Sequence, residues 1–445
     1  MKAGKQLVLG LGKTGLSTVA FLRSRAFDVV VFDTRFEPPC LDELTTRFPE
    51  CECYLSHFTP DMLDNVDRII QSPGIPDDLP TLITARERKI PIIGDIQLFA
   101  HAAKVPVAGI TGTNGKSTVT ILLGEMAKAA GKTVAIGGNL GTPALDLLND
   151  KVDLYVLELS SFQLDLVDDI PLVSAAMLNI SPDHLDRHGN MINYTAAKQR
   201  IYRQCDKPVF YREDTATIPP HLSQALSFGE GELPEGSNDF TLALKDGESL
   251  LCQGNTPLIS MAEMQIKGEH NALNALAALA LGSQLGLPMP AMCDALRLFK
   301  GLEHRCELIT VSAGVVWYND SKGTNVGATD AAIRGLSTAG KRNIVLIAGG
   351  QAKDDDFSGL KLPIDMAVRH LILIGEAAPL MSEQLTSHVA TTSTASMAEA
   401  VDIAHKIAHS GDIVLLSPAC ASFDMFDNYE HRGEAFREAV TRICE

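Results

Sequence analysis

Three α/β units in series, residues 1–94, 95–301 and 302–445, are what this sequence predicts. Two observations carry that expectation. Short apolar runs ending in glycine or an acidic residue alternate with stretches of helical spacing, the pattern of a mainly parallel sheet flanked by helices. A chain of 445 residues is also too long for one hydrophobic core. A hydrophobic share of 45%, a charged share of 21% and 35 glycines suit an ordinary soluble α/β protein.

The first unit opens with "KQLVLGLG", a strand running into a glycine turn. "TGLSTVAFLRSRA" follows with helical spacing, and "DVVVFD" is a second strand ending at Asp33, which completes a βαβ unit. "RIIQSPG" (68–74) reads as a strand and tight turn, and "PIIGDIQLFAHAA" leads out near residue 95. The second unit starts with "VPVAGITGTNGKSTVTILLGEMAKAAG": strand, glycine loop, and a helix closed by Gly131. "TVAIGGN", "LYVLELSS" and "SAAMLNIS" are its further strands. Residues 207–268 turn polar and rich in Gly and Pro and read as appended hairpins, and "HNALNALAALALGSQLG" is a buried helix. Strands "VVWYND", "NIVLIAGG", "HLILIGE" and "DIVLLSPA" make the third unit, which starts near residue 302. The predicted fold class is therefore α/β with a Rossmann-like first domain, a central P-loop mononucleotide-binding parallel sheet, and a Rossmann-like third domain.

Composition removes several classes of function. A formal charge of −17 argues against general nucleic-acid binding, which needs a basic surface. It leaves room for anionic small ligands held by a few focused lysines and arginines. The N-terminus shows no signal-like segment, and no apolar run is long enough to span a bilayer, so no membrane insertion is expected. Nine scattered cysteines, an odd count, fit reduced thiols in a cytoplasm. Cys51 and Cys53 have no second Cys/His pair near them, so no metal role is expected there.

Gly109 to Thr118, "GITGTNGKST", carries the strongest chemistry. Small residues let successive backbone N–H groups converge on one anion, and the following helix adds its positive end. Lys116 would reach the outer phosphates of ATP, and Ser117 or Thr118 would offer a hydroxyl to Mg²⁺. The match to G-x-x-x-x-G-K-[ST] is offset: position 110 is Ile110, Gly109 lies one residue early, and Gly112 sits within the loop. Glu158, and Asp183 with His184, stand where apolar strands end, the place where α/β sheets bind ligands, and are candidates to assist the metal. Gly10, Gly12 and Gly15 open a helix after a strand, with Asp33 about 20 residues on. This turn would hold the pyrophosphate of NAD or of another nucleotide, and the pattern leaves the two open. Arg35 beside Asp33 adds an anion contact. In the third unit, Asp320, Lys322, Thr324 and Asn325, then Lys353, then Ser422 and Tyr429, place lysines and hydroxyls on loops suited to an anionic substrate.

"GITGTNGKST", "LELSSFQL", "NISPDHLDRH", "YTAAK", "GEHNALNALAA", "HR", "NDSKGTN" and "SPACASFDMFDNYEHRGEAF" run in the order found in the Mur ligase family of peptidoglycan synthesis. The resemblance covers the whole chain, and the last stretch is most similar to the D-glutamate-adding branch. It implies ATP-dependent addition of D-glutamate to UDP-N-acetylmuramoyl-L-alanine by a cytoplasmic monomer. The first glycine turn would then hold UDP, with contacts at Thr14, Asp33, Thr34, Arg35, Ser72, Pro73 and Gly74, and Asn139 near the substrate and the first metal.

The resemblance also implies ATP at Gly112, Thr113, Asn114, Gly115, Lys116, Ser117 and Thr118, with Asn271, His304, Arg305 and Asp320 on the same side. Two Mg²⁺ sites are implied, at Ser117 with Glu158 and at His184 with Lys198. Lys198 matches a lysine that the family carries as a carbamate, whereas spacing alone reads it as a helix-surface residue. Lys322, Thr324, Lys353, Ser422 and Tyr429 match the surroundings of D-glutamate. Gln351 departs from the acidic residue expected of relatives, and Tyr429 from a common phenylalanine. A folylpolyglutamate-type ligase would lack the leading unit, an NAD-dependent oxidoreductase would leave "TGTNGKST" idle, and a regulatory nucleotide-binding module would need neither Lys198 nor the third unit.

Overall fold

The first unit's five strands follow from short apolar runs that pair side by side. In the computed structural model, which describes residues 3–337, 340–352, 356–385 and 389–444, they are β1 (Ala3–Leu9), β2 (Phe27–Asp33), β3 (Glu52–Leu55), β4 (Val66–Gln71) and β5 (Ile92–Ile93). All pair in parallel, in the order β3-β2-β1-β4-β5. Strand order reverses between β1 and β4, which opens a crevice at their C-terminal ends. The glycine turn lies there. A Cβ on Gly15 would stand 1.9 Å from the Gly10 carbonyl oxygen, so only glycine lets the helix Lys13–Ser24 pack this close to β1.

The second sheet contains β6 (Val107–Thr111), β7 (Val134–Gly138), β8 (Leu154–Glu158), β9 (Leu172–Met177), β10 (Cys205–Tyr211), β11 (Leu226–Glu230), β12 (Phe240–Lys245), β13 (Glu248–Gln253) and β14 (Thr256–Ser260). Their order is β14-β13-β12-β11-β10-β9-β6-β8-β7. The polar stretch after residue 207 differs from the expectation of appended hairpins. β10, β11 and β12 continue the parallel sheet, and only β12-β13-β14 form an antiparallel meander. The reason is burial: Val209, Phe228, Phe240, Leu251 and Ile259 share one core with the small apolar face of the helix Glu269–Gln284. That helix offers Ala275 to Leu281 as an unbroken buried run, so the strands beside it need few apolar residues of their own.

The third sheet runs β15-β16-β20-β17-β18-β19, from β15 (Glu307–Ser312), β16 (Val315–Asn319), β17 (Ile344–Gly349), β18 (Val368–Ile374), β19 (Ala390–Ser393) and β20 (Ile413–Leu416). Only β15 is antiparallel. One buried cluster joins the first two sheets, from Val8 and Val31 through Ile96 and Phe99 to Tyr155 and Leu157. The helix Asp95–Ala102 is thus a packed joint. Its Gln97 side chain donates to the Asp169 carboxylate at 2.8 Å and accepts from the Asp168 N–H at 2.7 Å. No helix among the described residues is long and apolar enough to cross a membrane.

Candidate active site

β6 delivers the glycine loop to the centre of the second sheet, between β8 and β9. The loop is tied from below. Asn179, just past β9, accepts from the Asn114 N–H at 2.8 Å and donates to the Asn114 carbonyl at 3.1 Å. The Thr113 hydroxyl lies 3.1 Å from the Tyr194 hydroxyl. Gly115, at φ +83, turns the chain into the helix Lys116–Ala129. The Lys116 ammonium donates to the carbonyls of Gly112 and Thr113 at 2.9 and 2.7 Å. An ammonium beside the N-terminus of a 14-residue helix makes a cradle for a polyanion.

Ile110 pairs with Glu158 across β6 and β8, so the carboxylate stands beside the loop. Glu158 is 3% exposed; it accepts from the Ser117 hydroxyl at 2.7 Å and from the Asn139 amide at 2.7 Å. Burial acts to raise its pKa, but Lys116, those two donors and Lys322 outweigh it and hold the group below the ordinary carboxylate range. The third unit reaches the same hydroxyl. Arg305 donates to Ser117 Oγ at 3.2 Å and Lys322 at 3.4 Å. Asn325 and Asn114 exchange amide contacts of 3.3 and 3.5 Å. Burial, then Arg305, lowers the Lys322 ammonium to about 8.

Lys198 contradicts its helix-surface reading: it is 2% exposed, and its ammonium donates to the Gly112 carbonyl at 2.8 Å. Burial, then the charge of Lys116, pushes its pKa well below the usual lysine value. His184 takes a left-handed backbone (φ +56), and its ring meets that of Phe162 in a T-shaped contact, centroid to centroid 5.0 Å. Its Nε2 lies 3.6 Å from the Asp183 carboxylate. Among the described residues no three His, Cys, Asp or Glu side chains cluster as a metal cage.

Two recesses flank this core. A cavity of about 310 Å³ is walled by Asn114, Gly115 and Thr118 of the loop, by Asn271, and by Arg305 and Asp320 of the third unit. Burial raises the Asp320 carboxyl to about 6, although the Ser417 hydroxyl donates to it at 2.7 Å. A crevice of about 560 Å³ lies over the first sheet's reversal point, lined by Gly10, Thr14, Thr34, Arg35, Ser72 to Gly74 and Asn139. Asp33 lies beneath, fully buried; it takes the Leu11 N–H at 2.7 Å and both arms of Arg35 at 2.9 and 2.7 Å. Asn139 connects the crevice to the phosphate loop, because it lines the crevice and bonds Glu158, which in turn accepts from Ser117.

Three of the remaining candidates gather in the third unit. The Lys322 ammonium sits 4.8 Å above the Tyr429 ring, and the Thr324 N–H donates to the Lys322 carbonyl at 2.9 Å. Ser422 is buried beside the Gln351–Ala421 backbone pair. His304 is not among the residues walling the cavity. Its ring is buried, with Nδ1 2.9 Å from the Asn319 amide and Nε2 3.7 Å from Glu434. Lys353 lies outside the described residues. Arg432 went unpredicted, since a helical arginine reads as surface. It is fully buried and donates to the Ser321 and Ala421 carbonyls at 2.7 and 3.0 Å, fixing the loops that carry Lys322 and Ser422. Asn179 and Tyr194 were also missed, because nothing in their spacing marks them as props of the loop.

The descriptions of three family domains match along the chain: "Mur ligase MurD-like, N-terminal domain" at residues 4–94, "Mur ligase middle domain" at 110–282, and "Mur ligase, glutamate ligase domain" at 304–420. A UDP-N-acetylmuramoylalanine–D-glutamate ligase of Nitrosococcus oceani is 48% identical over 99% of this chain and 97% of its own. The enzymes of the same name from Legionella pneumophila and Pseudomonas fluorescens are 47% identical, over 98% and 99% of this chain and 98% of each of their own. Among solved structures, a pseudomurein peptide ligase type C from Methanothermus fervidus superposes with a TM-score of 0.64 at 19% identity, covering 99% of this chain and 100% of its own. A UDP-N-acetylmuramate-alanine ligase from Thermotoga maritima gives 0.62 at 20%, with the same coverage. The fold of three sheets and the near full-length identity agree: this chain belongs to the Mur ligase family, on the branch of the UDP-N-acetylmuramoylalanine–D-glutamate ligases.

Proposed function

We propose that this chain is a cytoplasmic, monomeric ATP-dependent ligase that joins D-glutamate to UDP-N-acetylmuramoyl-L-alanine in peptidoglycan precursor synthesis. Residues 1–94 hold the UDP end, 95–301 hold ATP, and 302–445 hold D-glutamate. One observation carries the reading: Asn139, Glu158 and Ser117 form a hydrogen-bonded chain, with links of 2.7 and 2.7 Å, from the crevice to the phosphate loop. That chain supports a sugar nucleotide that reaches out of the crevice to meet the outer phosphate of ATP.

A carboxylate does not acylate an amine directly, because oxide is the leaving group. In the proposed reaction an oxygen of the alanine carboxylate attacks the γ-phosphorus, and ADP leaves. The D-glutamate amine then adds to the acyl phosphate carbonyl and gives up a proton as phosphate departs. Lys116 and the loop amides balance the transferred charge, with Arg305 beside them. Thr14, Asp33, Thr34, Arg35 and Ser72 to Gly74 orient the UDP end, with Asp33 acting through the Arg35 it holds. Gly112 to Thr118, Asn271 and Asp320 orient ATP, and His304, its ring against the Asn319 amide, precedes Arg305 in the chain on the same side. Lys322, Thr324, Lys353, Ser422 and Tyr429 receive the carboxylates of D-glutamate.

An oxygen-donor pair with a buried, ionised carboxylate fits Mg²⁺, which keeps few protein ligands and completes its shell with phosphate and water. Ser117 and Glu158 would hold one ion, and His184 with the carbamate of Lys198 a second. Such ions would neutralise phosphate charge. Lys198's burial supports the carbamate. A lowered pKa leaves a free amine that adds to CO₂, forming an N–C bond and releasing one proton. The remaining N–H can still donate to Gly112.

Phosphate release measured with each co-substrate omitted in turn tests the reading. Release should require ATP, Mg²⁺, UDP-N-acetylmuramoyl-L-alanine and D-glutamate together; release without the sugar nucleotide overturns it. Lys198→Ala should lose activity and regain part of it with a small added carboxylate. Full activity in Lys198→Ala removes the carbamate.

A further inference from the structure

The helix Val326–Leu336 of the third unit spans the nucleotide cavity, with about 16 Å between its ends. At its N-cap, Asn325 meets Asn114 of the phosphate loop. At its other end, Gly335 meets the start of the helix Glu269–Gln284 in the central unit. A Cβ on Gly335 would lie 2.8 Å from His270 Cε1 and 2.9 Å from its Nδ1, and one on Gly268 would lie 2.9 and 3.1 Å from the same two atoms. Two glycines from two domains therefore meet closely, a Cβ on Gly268 lying 3.2 Å from the Gly335 Cα, with the His270 ring packed against both. The same ring walls the cavity with Asn271 and Asn274, and Ala328, Ala331 and Ala332 of the spanning helix line it too.

We propose that His270 is a positioning residue that couples the far end of the nucleotide cavity to the seating of the third unit. The ring is cavity wall and interdomain spacer at once, so nucleotide packed against it braces the surface on which Gly335 rests. Seating at Gly335 in turn sets the tilt of the helix and delivers Asn325 to the phosphate loop. Burial, with Arg305 acting in the same direction, lowers the His270 pKa to about 4, so the spacer is uncharged at neutral pH. This inference rests on reading the cavity as the ATP site.

The test is a double-mutant cycle. Gly335→Ala should raise KM for ATP, and Kd for a non-hydrolysable ATP analogue, by about tenfold, the scale of overpacking a seam that must close. The sugar-nucleotide KM should stay within about twofold, and kcat at saturating ATP should persist. His270→Ala in the Gly335→Ala background should recover most of the lost affinity, because the two atoms under 3.0 Å from the new methyl belong to the ring, and the Gly268 Cα lies at an ordinary 3.6 Å. Wild-type-like analogue binding by Gly335→Ala overturns the proposal, as does a double variant that binds no better than the single one. Sugar-nucleotide binding by the same samples reports that the fold is intact. If the unmodified chain binds no ATP analogue, the cavity reading fails; if it binds and Gly335→Ala changes nothing, only the coupling fails.

Discussion

Glu158 holds its charge in a place where burial opposes it, and it does so through Lys116, Asn139 and Ser117. Glu158→Gln keeps the shape and removes the charge, so kcat should fall by at least about a hundredfold, with a smaller change in the sugar-nucleotide KM. Steady-state kinetics on the folded variant check this. Lys322 gives a pH signature. Burial brings its ammonium down to about 8, so D-glutamate should lose a cation partner as pH rises through that value. KM for D-glutamate should therefore climb above pH 8, and Lys322→Arg, ionised beyond about pH 12, should remove that limb. Residue by residue, the sequence exposed what lies on motifs: the loop and Glu158, singled out by pattern and strand end, stand near Arg305 and Asp320, which the resemblance implied. It hid what depends on distant chain. Lys198 has ordinary helical spacing, and only the packing of its helix beneath the Gly112 carbonyl buries it. Arg432 is invisible for the same reason, since its four carbonyl and hydroxyl acceptors come from two other loops.

Elements were legible where burial on both faces leaves a continuous apolar run. β6, β8, β17 and β20 are of this kind, and each ends at a loop that carries proposed site residues. The shortest edge strands were not legible, whereas the edge strand β7 was. β3 and β19 span four residues each, and β5 spans two, with too little apolar surface to show a period. β11 to β13 drew their stability from the helix Glu269–Gln284, a partner that a local pattern cannot reveal. The glycine turn after β1 gives this scale its prediction. A methyl at position 15 would meet the Gly10 carbonyl at 1.9 Å, so Gly15→Ala must push the helix Lys13–Ser24 off its strand. Overpacking of this kind costs about 1–3 kcal/mol. The loss should concentrate in the crevice: the sugar-nucleotide KM should rise steeply, while binding of an ATP analogue, measured by calorimetry, stays near its original value. Equal loss at both sites would show that the turn serves general stability instead.

The whole molecule joins two units through a shared core, and at the phosphate loop it joins the third through charged and polar groups. A shared core fixes the first sheet to the second around Ile96 and Phe99, so the crevice and the phosphate loop keep one relative geometry. The third unit meets the loop through polar contacts: Arg305 and Lys322 on Ser117, and Asn325 on Asn114. These contacts bring two cations towards Lys116, with Glu158 as the carboxylate bonded to Ser117. Like charges in a partly buried cleft repel, and the lowered pKa of Lys322 carries part of that repulsion. A polyanion between the domains reverses the sign, because every added phosphate oxygen attracts all three. Triphosphate should therefore draw the third unit onto the loop, and the closed cleft would shield an acyl phosphate from water. Small-angle scattering should give a smaller radius of gyration with a non-hydrolysable ATP analogue and Mg²⁺ than with neither. Arg305→Ala with Lys322→Ala should weaken that response, since the attraction loses two of its three sources. Identical scattering curves with and without nucleotide would mean that the domains stay in one arrangement and that the charges serve binding alone.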